Sequence, residues 1–552
     1  MQALKKLGRY LVLTGLVLLV AIPASSAERS DQAAGLAHYS QIVQLRYFLA
    51  HPDKAPQTLA RTIDTMRGLH ATAGRATAEP QPGAYIRDLF NNDGLGLPQN
   101  EEAVSVCDTH PSIVVGGTND YRGLVDPEGN FTGWQLSTDG GKSVAKEGLL
   151  PSLPSQGENL PSGGDPVVQS RDGCTFYFGS INYPADDPFN GPNGIAVYKT
   201  NAATLRSCAG GTEPDELTTP DCVQTGRIVA EAQMTEGAGH FLDKEWLDIG
   251  ESGSAGRVVW IVYSDFTQDP DAPLGFTGAQ IKAVRCSADL SDCTDPILIS
   301  GADEDVQFGD VTIAEDGSVL VTWAQIEGEL EQTAQTFTIK SRIAAPGTTT
   351  FGPTSVVAAE SNPLPFGGFL HAADFRVATY PKSIMPMVNG QRRPFVVWDR
   401  CKFLVLDNVC EGAQIQMSWS ADGGTTWVDP VVISERGDNF FPAISDEGTG
   451  RFAVSYYTTR YDPIFHHDYD VEAVRVNRVT GDVVGRQRVT PFSNDPDADP
   501  VLGGFFIGDY FDVHLLGGRM WVHYNANVRH VRVLDEGAPI PQQDNYLTRV
   551  GS

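Results

Sequence analysis

The hydrophobic positions of this chain fall into short runs of strand length that recur along most of its sequence. Seven times, a short apolar strand is followed by a turn rich in Asp or Gly and then by a second strand that ends in aromatic and polar residues. The seven first strands contain Val104, Val167, Leu247, Val311, Val377, Ala443 and Phe511. These positions are 63 to 80 residues apart, which indicates one repeating architecture rather than several unrelated domains.

Each repeat has room for two further strands after the first pair. Examples are residues 279–285 with 296–300, and residues 414–420 with 431–434. A four-stranded sheet cannot bury both of its faces alone, but sheets stacked around an axis can. The sequence therefore predicts an all-β fold, a β-propeller of four-stranded blades. Seven blades are favoured. Six are the alternative, because one repeat could be an insertion or the first and last could share a blade.

The region before the repeats has helical rather than strand-like spacing. One helical face is predicted from Leu59, Ile63, Met66 and Leu69. An earlier helix is predicted from Leu36, Val43, Phe48 and Leu49, with Pro52 separating the two. Residues 72–82 have the composition of a linker. We therefore expect a helical N-terminal segment over 28–83, which packs on the propeller or serves as a pro-segment, and the propeller over 84–552.

The first 27 residues have the three parts of a secretory signal peptide. Lys5, Lys6 and Arg9 are basic, residues 10–22 are apolar, and Ser-Ser-Ala at 25–27 fits a cleavage site. The apolar run is short for a membrane span, and no later segment is long enough to form one. The chain is thus expected to be secreted or periplasmic, without a membrane span.

The charge balance excludes some partners. The formal net charge is −29, and removing the three basic residues of the signal peptide brings it to about −32. Such an acidic surface disfavours nucleic acid and anionic lipid. It also disfavours an anionic sugar unless arginines reverse the local field. We expect a monomer whose ligand is a glycan or another small polar molecule.

The cysteine count fits a secreted chain with disulfides. All eight cysteines lie after the signal peptide, and an even number in such a chain predicts disulfide bonds. Three local pairs are expected, Cys208–Cys222, Cys286–Cys293 and Cys401–Cys410, which leaves Cys107–Cys174 as the long-range pair. Clustered Cys/His spacing typical of a zinc site does not occur.

Two turns share a motif, Ser420–Trp427 and its weaker copy at 137–144. Each places an Asp before Gly-Gly, so that Asp422 or Asp139 can accept hydrogen bonds from its own turn while the glycines adopt positive φ. Trp427 can cover its turn. The motif resembles the Asp-box, or BNR repeat, of the sialidase-like β-propeller superfamily, and it predicts architecture rather than chemistry.

Four further segments resemble secreted bacterial proteins of the sialidase-like class. These are Asn119-Asp120-Tyr121-Arg122, Gly164-Asp165-Pro166, Asp243-Lys244-Glu245-Trp246 and residues 506–510. The resemblance covers about 98–540. It implies a glycoside hydrolase-like propeller that hydrolyses or recognises extracellular glycans. The alternatives are a non-catalytic binding or scaffold propeller, and a lyase or esterase on the same fold.

A propeller would bring distant residues to the mouth of its central channel. The residues that open the first strands and close the second strands meet there, whereas the Asp-box turns lie on the opposite face. Polar residues are frequent at these positions. The openings provide Glu101, Glu102, Asp165, Asp243, Lys244, Glu245, Gln307, Asp310, Asp374, Arg376, Asn439, Asp509 and Tyr510. They form either a ligand site or a network that satisfies itself.

The resemblance to sialidases assigns roles to some of these residues. Family members use a tyrosine nucleophile with a glutamate partner, an aspartate as acid/base catalyst, and three arginines that bind the substrate carboxylate. Here the resemblance implies Tyr510 as the nucleophile, Glu245 as its partner and Asp120 or Asp165 as the acid. The substrate ligands would be Arg122, Arg376, Arg400, Arg460 and Asp509. The Arg-Ile-Pro motif that carries the first family arginine is absent, and a different two-carboxylate glycosidase remains an alternative.

No cofactor or metal is expected at the mouth. The oxygen-rich stretch 494–499 could hold a structural Ca²⁺, although it lacks the glycine and glutamate of an EF-hand, and a solvated loop is the simpler interpretation. His466 and His467 could bind a metal, but adjacent residues of a strand face opposite ways. Gly-x-Ser-x-Gly, Walker A and His-Glu-x-x-His motifs are absent, which disfavours the corresponding chemistries.

Overall fold

The computed structural model of the chain describes residues 36, 38–72, 88–211, 213, 216–269, 276–327, 335–364, 368–405, 409–535 and 538–551. The predicted signal peptide and most of the predicted linker lie outside the described residues. The described part contains three α-helices, α1 (Gln41–Ala50), α2 (Gln57–Thr72) and α3 (Ala202–Ser207), and short 3₁₀ turns such as Tyr121–Leu124. None of the described helices is long and apolar enough to cross a membrane.

The strands of the first three blades follow the chain order. Blade 1 contains β1 (Gln99–Val106), β2 (Val114–Asp120), β3 (Thr132–Ser137) and β4 (Lys146–Leu149). A hairpin follows, β5 (Leu153–Ser155) with β6 (Glu158–Leu160). Blade 2 contains β7 (Val167–Asp172), β8 (Thr175–Asn182), β9 (Gly191–Asn201) and β10 (Thr225–Thr235). Blade 3 contains β11 (Ala238–Glu251), β12 (Arg257–Gln268), β13 (Phe276–Ser287) and β14 (Ile297–Leu298).

The remaining strands complete the ring. Blade 4 contains β15 (Val306–Ile313), β16 (Val319–Glu327), β17 (Thr336–Ala344) and β18 (Ser355–Ser361). Before blade 5 lie β19 (Gly368–Leu370) and β20 (Arg376–Val377). Blade 5 contains β21 (Lys382–Ile384), β24 (Phe395–Val405), β25 (Val409–Trp419) and β26 (Val431–Val432), interrupted by the hairpin of β22 (Met387–Val388) and β23 (Gln391–Arg392). Blade 6 contains β27 (Asn439–Asp446), β28 (Arg451–Thr458), β29 (Asp470–Asn477) and β30 (Val483–Arg488). Blade 7 contains β31 (Asp512–Leu516), β32 (Arg519–Val531) and β33 (Ile540–Val550).

The first strands form a closed ring of seven. Each of β1, β7, β11, β15, β21, β27 and β31 contacts the next, and β31 contacts β1. The fourth, outermost position of blade 7 is filled by the segment before β1, where Leu89 pairs with Tyr546 on β33. The fold is therefore an all-β propeller with seven blades in its described residues. The first and last parts of the chain share blade 7, which closes the ring.

Two details differ from the predicted repeat. Val377 was expected in the fifth inner strand, but it lies in β20 and pairs with β19, and the inner strand is Lys382–Ile384. The apolar Phe375–Val377 stretch resembles a strand start, which explains the misplacement. The long spacing between Val167 and Leu247 reflects an insertion between β9 and β10 that carries α3, and the β10–β11 hairpin joins blades 2 and 3 into one sheet.

Side-chain acceptors connect neighbouring inner strands near the axis. Three of these acceptors are aspartates: Asp248 accepts the backbone N–H of Ile313 at 2.7 Å, Asp310 that of Ser383 at 2.8 Å, and Asp512 that of Val104 at 3.2 Å. Each bond joins one blade to the next. Part of the polar character of the inner strands is therefore structural, because a buried backbone donor requires an acceptor.

Both turns that resemble Asp-boxes have the predicted geometry. Asp422 accepts the side-chain hydroxyl of Ser420 at 2.7 Å and the backbone N–H groups of Thr425 and Thr426, while its two glycines have φ of 76° and 98°. The copy at Asp139 makes the corresponding bonds. Gly140 donates to Ser112, in the turn after β1. The Asp139 turn thus lies on the face where inner strands end, as expected.

The four predicted disulfides are present. Cys107 bonds Cys174, which ties blade 1 to blade 2, and the three local pairs form as expected, Cys208–Cys222, Cys286–Cys293 and Cys401–Cys410. The described residues include no free cysteine.

The N-terminal helices pack on the propeller through the predicted apolar residues. Val43 and Phe48 of α1 and Leu59, Ile63 and Met66 of α2 are all buried. They belong to the same apolar cluster as Tyr121, Phe131 and Tyr183 of blades 1 and 2. Each such side chain contributes about 1.5–3 kcal/mol on burial, so the helices are firmly docked.

Candidate functional site

The inner strands begin with distorted backbone, at the end of the axis that we call the channel mouth. The pairing register shifts near the start of β1, β15 and β27 and, in the longer β11, between Asp243 and Trp246. Positive φ values occur at Glu101 (59°), Lys244 (58°), Phe308 (58°) and Phe441 (50°) in these bulges, and at Asp165 (53°) just before β7. Bulges re-aim side chains, and non-glycine residues in this region of φ are strained, as is frequent at functional sites.

Five carboxylates meet at the mouth, and we call them the mouth cluster: Glu101, Asp165, Asp243, Glu245 and Asp509. At its centre, the carboxyls of Asp165 and Glu101 are hydrogen-bonded to each other. Glu101 also accepts the Asn119 side-chain amide at 2.6 Å and the backbone N–H of Asp509 at 3.1 Å. Burial, followed by the charge of Asp509, raises the pKa of Glu101 to about 7.

Of the two carboxyls in this pair, Asp165 has the more strongly raised pKa. Burial and the neighbouring charge of Glu101 raise the pKa of Asp165 well above its ordinary range, and hydrogen bonding to Glu101 acts in the same direction. Two like charges in contact cannot both be ionised in a buried place. The pair therefore carries one proton near neutral pH, held on Asp165 and shared with Glu101.

Tyr510 and Glu245 flank the Asp165–Glu101 pair but are not hydrogen-bonded to each other. The Tyr510 hydroxyl donates to the backbone carbonyl of Pro166 at 2.7 Å, and its ring meets Trp246 edge-on at 5.6 Å between centroids. Both carboxylate oxygens of Glu245 are buried and accept no hydrogen bond from another described residue. Burial, with the charge of Asp243, raises the pKa of Glu245, and burial raises that of Tyr510.

Arg376 and Lys244 supply the positive charge at the mouth. The Arg376 guanidinium forms a bidentate ion pair with both carboxylate oxygens of Asp509, and its Nε lies 2.7 Å from Oδ1. The Lys244 Nζ lies 3.9 Å from the same carboxylate. Burial opposes ionisation of Asp509, but Arg376 and then Lys244 hold its pKa below the ordinary range. Five carboxylates thus face two cations.

The mouth is closed by the chain's own residues 38–41, which we call the N-terminal tip. The backbone N–H of Ser40 donates to Asp243 Oδ2 at 2.6 Å, and Arg376 donates through Nη1 to the carbonyl of Tyr39 at 2.6 Å. The Asp509 carboxylate accepts a further backbone N–H from Gln41. Three residues predicted from sequence for the mouth therefore bind this tip.

The Tyr39 side chain anchors the tip in an aromatic pocket. Its ring lies 4.8 Å from Phe189, 5.3 Å from Phe241 and 4.9 Å from Phe266, measured between centroids. The side chain is fully buried. Apolar burial and edge-to-face contacts hold this residue firmly, so the tip has one defined position over the mouth cluster.

Asp120 and Arg122 form a buried ion-pair group with Glu147. The Arg122 Nε donates to Asp120 at 2.9 Å and its Nη1 donates to Glu147 at 2.7 Å, with all three side chains inaccessible to solvent. Their hydrogen-bonding capacity is used within blade 1. In this arrangement neither Asp120 nor Arg122 can contact a ligand, and their predicted roles are left without support.

The two outer arginines are paired in separate places. Arg400 binds Glu360 of blade 4 at 3.0 Å, and Arg460 binds Glu472 at 2.8 Å and the Glu435 carboxylate. Four arginines were candidates for a carboxylate-binding cluster, and each is paired with acidic side chains. Arg376 alone among them makes its ion pair within the mouth cluster.

The other end of the axis is open. A cavity of about 420 Å³ extends from Trp246, Asp310, Lys382 and Asp512 to residues at the ends of the inner strands. The Lys382 ammonium lies over the Trp246 ring and 3.6 Å from Asp310 Oδ1. Burial lowers the pKa of Lys382 to about 8 and raises those of Asp310 and Asp512 to about 6 and 7.

Lys382 opens β21 and Asp512 opens β31, and neither was predicted as a site residue. Lys382 was missed because the fifth inner strand was placed at Val377, and Asp512 because it follows Phe511, which was expected within the seventh strand. Glu101 was included among the openings but was given no role. The doublet Glu101-Glu102 before an apolar run was the available signal.

The two weak metal motifs meet at the surface of blade 6. His467 lies 3.1 Å from Asp468 and 3.1 Å from Asp497, and Asp495 is 3.9 Å away. Asp499 instead accepts backbone N–H groups of Val501 and Gln543, so it holds the loop. Ca²⁺ binding in this stretch stays a prediction.

Comparisons with known proteins give structural neighbours only. No protein-family model and no curated protein matches the sequence. Similar solved structures include a protein of unknown function from Dyadobacter fermentans, with a TM-score of 0.42 and 10% identity, covering 85% of this chain and 99% of that one. An α-L-arabinofuranosidase of Fusarium graminearum in complex with arabinobiose has a TM-score of 0.40 and 10% identity, covering 67% and 92%. The phage phi92 endosialidase has a TM-score of 0.40 and 9% identity, covering 85% and 69%. The propeller assignment rests on this chain's own strand pairing.

Proposed function

We propose that this chain is a secreted or periplasmic propeller, monomeric, that hydrolyses neutral extracellular glycans at its channel mouth. The observation that carries the proposal is the protonated Asp165 bound to Glu101 beside the unpartnered carboxylate of Glu245. A glycosidase needs a carboxylic acid that stays protonated near neutral pH and a second carboxylate that stays ionised. The mouth cluster contains carboxyl groups whose pKa is raised, Asp165 and Glu245, and one whose pKa is lowered, Asp509.

Roles follow from these environments. Asp165 is the proton donor to the leaving oxygen, because burial and Glu101 keep its proton in place. Glu245 lies beside the acid with neither oxygen used by another described residue. Burial and the charge of Asp243 raise its pKa, so it becomes the carboxylate that acts at the anomeric carbon when the mouth opens and water solvates it. Tyr510 packs against Trp246 and is fixed by Pro166, so it shapes the site beside the acid.

The charge of the mouth favours a neutral sugar over a sialoside. Sialidase chemistry requires several arginine forks for the substrate carboxylate. Here Arg122, Arg400 and Arg460 form ion pairs with other acidic residues. Arg376 is engaged with Asp509. An anionic sugar would meet an excess of carboxylates, whereas a neutral pentoside or hexoside would not be repelled.

A panel of neutral aryl glycosides and soluble polysaccharides tests the proposal. Asp165→Asn should reduce turnover by about 10²–10⁴-fold, the usual contribution of a general acid. Asp374→Asn, at an exposed carboxylate near the mouth, is the matched control and should retain wild-type rates. Turnover of a sialoside but not of any neutral glycoside would contradict the charge argument.

The scaffold function is the second candidate, and the closed mouth favours it. If the protein only presents a stable surface, Asp165→Asn will leave every measured binding and turnover unchanged. Glycan binding without hydrolysis, lost in Glu245→Gln, would instead identify a lectin-like propeller that uses the same cluster.

A further inference from the structure

We propose that the N-terminal tip is a built-in occupant of the channel mouth, which competes with external ligands and keeps the site latent. The inference deepens the proposed function because it concerns the regulation of the same site. Its principal measurement does not depend on turnover.

The tip engages the mouth with polar groups that a ligand would also use. Ser40 presents a backbone donor to Asp243, and Tyr39 presents a backbone acceptor to Arg376. The Gln307 side chain, from the start of β15, pairs with the His38 ring at 3.0 Å. A sugar hydroxyl both donates and accepts hydrogen bonds, so it can replace either backbone group.

The contacts come from several blades, as in a ligand-bound site. Asp243 belongs to blade 3 and Gln307 to blade 4, whereas Arg376 lies in the connection before blade 5 and Asp509 in that before blade 7. A segment that merely covered the surface would require only apolar contacts. The tip instead places its polar groups on three charged side chains and the Gln307 amide, from four separate parts of the ring.

The tip and the rest of the N-terminal segment are held by different forces. The residues that follow, Ile42 to Phe48 and then Leu59, Ile63 and Met66, dock through apolar burial. The tip depends on polar bonds and one aromatic ring. The apolar part can therefore stay docked while the tip moves, since local openings need not involve the whole structure.

The position of Ser40 allows the tip to be released by one substitution. Its φ is −58°, which a proline ring accepts. Ser40→Pro therefore removes the N–H that binds Asp243 without forcing a new backbone angle at this residue. Ser40→Ala is the matched control, because it keeps the N–H and removes only a hydroxyl that has no hydrogen-bond partner among the described residues.

The reactivity of the Lys244 amine measures whether the mouth is open. Its side chain is 6% exposed and lies beside Asp509 under the tip, whereas Lys402 is exposed and serves as a reference. We would treat the folded full-length protein with a small amine-acetylating reagent and quantify both lysines by peptide mass spectrometry. In the wild type and Ser40→Ala, Lys244 should be protected relative to Lys402.

In Ser40→Pro, acetylation of Lys244 should rise about tenfold, the effect of losing one hydrogen bond to a charged acceptor. Equal protection in all three proteins, or Lys244 already as reactive as Lys402 in the wild type, would overturn the proposal. If Ser40→Pro does not fold by circular dichroism, Tyr39→Ala replaces it, because it removes the aromatic anchor and keeps the Ser40 N–H. Continued protection of Lys244 in that folded variant would also overturn it.

The glycoside panel separates this inference from the proposed function. Opening of Lys244 together with new or faster hydrolysis supports both. Opening of Lys244 without hydrolysis of any glycan supports the occupant and overturns the hydrolase. Hydrolysis by the wild type at the same rate as by the opened variant would support the hydrolase and overturn latency.

Discussion

The two ends of the axial channel are built from the same seven inner strands but differ in what packs against them and in chemistry. At the mouth, carboxylates such as Asp165 and Glu245 are sealed under the N-terminal tip and outnumber the cations Arg376 and Lys244. At the other end, Lys382 faces Asp310 and Asp512 in an open cavity of about 420 Å³. The difference arises from what covers each end rather than from the ring itself.

The comparison separates charged groups packed against protein from charged groups that are equally buried but line a cavity. The side chains of Lys382 and Asp310 are 9% and 3% exposed, and those of Arg376 and Asp509 are 9% and 15% exposed. Under the tip, a carboxylate must find a proton or an ion pair, as Asp165 and Asp509 do. At the other end, Lys382, Asp310 and Asp512 are also buried, but they line a cavity of about 420 Å³ that has room for water. Removing a cation should therefore be costly at the mouth and mild at the open end.

The largest effect is expected from removing the cation at the closed end. Arg376→Met would leave Asp509, whose side chain is 15% exposed, without its bidentate partner and Tyr39 without the donor to its carbonyl. Breaking a buried pair from one side costs about 3–5 kcal/mol. Equilibrium denaturation in urea should show a loss of this size in the free energy of unfolding.

Arg400→Met provides the surface baseline. Its ion pair with Glu360 has 28% of the arginine side chain exposed, and such pairs are worth about 0–1 kcal/mol. Equal losses in the two variants would mean that water reaches Asp509 beneath the tip, and the contrast between the two ends would disappear.

The next effect is a change in pH dependence. Glu101 has its pKa raised from 4.5 to about 7 by burial, so the folded protein binds this proton more tightly than the unfolded chain. The resulting stability is fully present below about pH 4.5 and is lost as the pH rises through 7. Glu101→Gln should therefore lose less stability between pH 5 and 8 than the wild type, by about 2–3 kcal/mol.

Urea denaturation at pH 5, 6.5 and 8 measures this difference. Glu251→Gln, at an exposed carboxylate, should keep the wild-type slope. A wild-type protein that becomes more stable from pH 5 to pH 8, or a Glu101→Gln variant with the same slope, would show that the mouth cluster is ionised and solvated.

Much of the fold could be predicted because its signals are local. Strand-length apolar runs repeat with regular spacing, and the Asp-box residues bond within their own turn, so both can be recognised without a partner elsewhere. Three of the four disulfides could be predicted for the same reason, because their cysteines lie close together in the sequence. Val377 was misplaced because a two-strand connection before blade 5 imitates the start of an inner strand.

The site was harder to predict because its partners lie far apart in sequence. Charge and position near the axis place Arg376 and Asp509 correctly, but their pairing joins residues 133 apart in sequence. The contact of Ser40 with Asp243 spans 203 residues, and helical spacing alone could not show where the N-terminal segment docks. Arg122 was predicted at the mouth because it follows the end of a second strand. It is instead buried in blade 1 with Asp120 and Glu147.

The smallest effect is expected at the open end, from Lys382→Met. Methionine retains most of the apolar volume beside Trp246 and removes the charge. Asp310 and Asp512 each keep a backbone hydrogen bond, and water in the cavity can solvate them, so the loss should be about 1 kcal/mol. The same urea experiment used for Arg376→Met checks this value. A loss equal to that of Arg376→Met would show that the cavity is as dry as the mouth, and that the N-terminal tip does not account for the difference between the two ends.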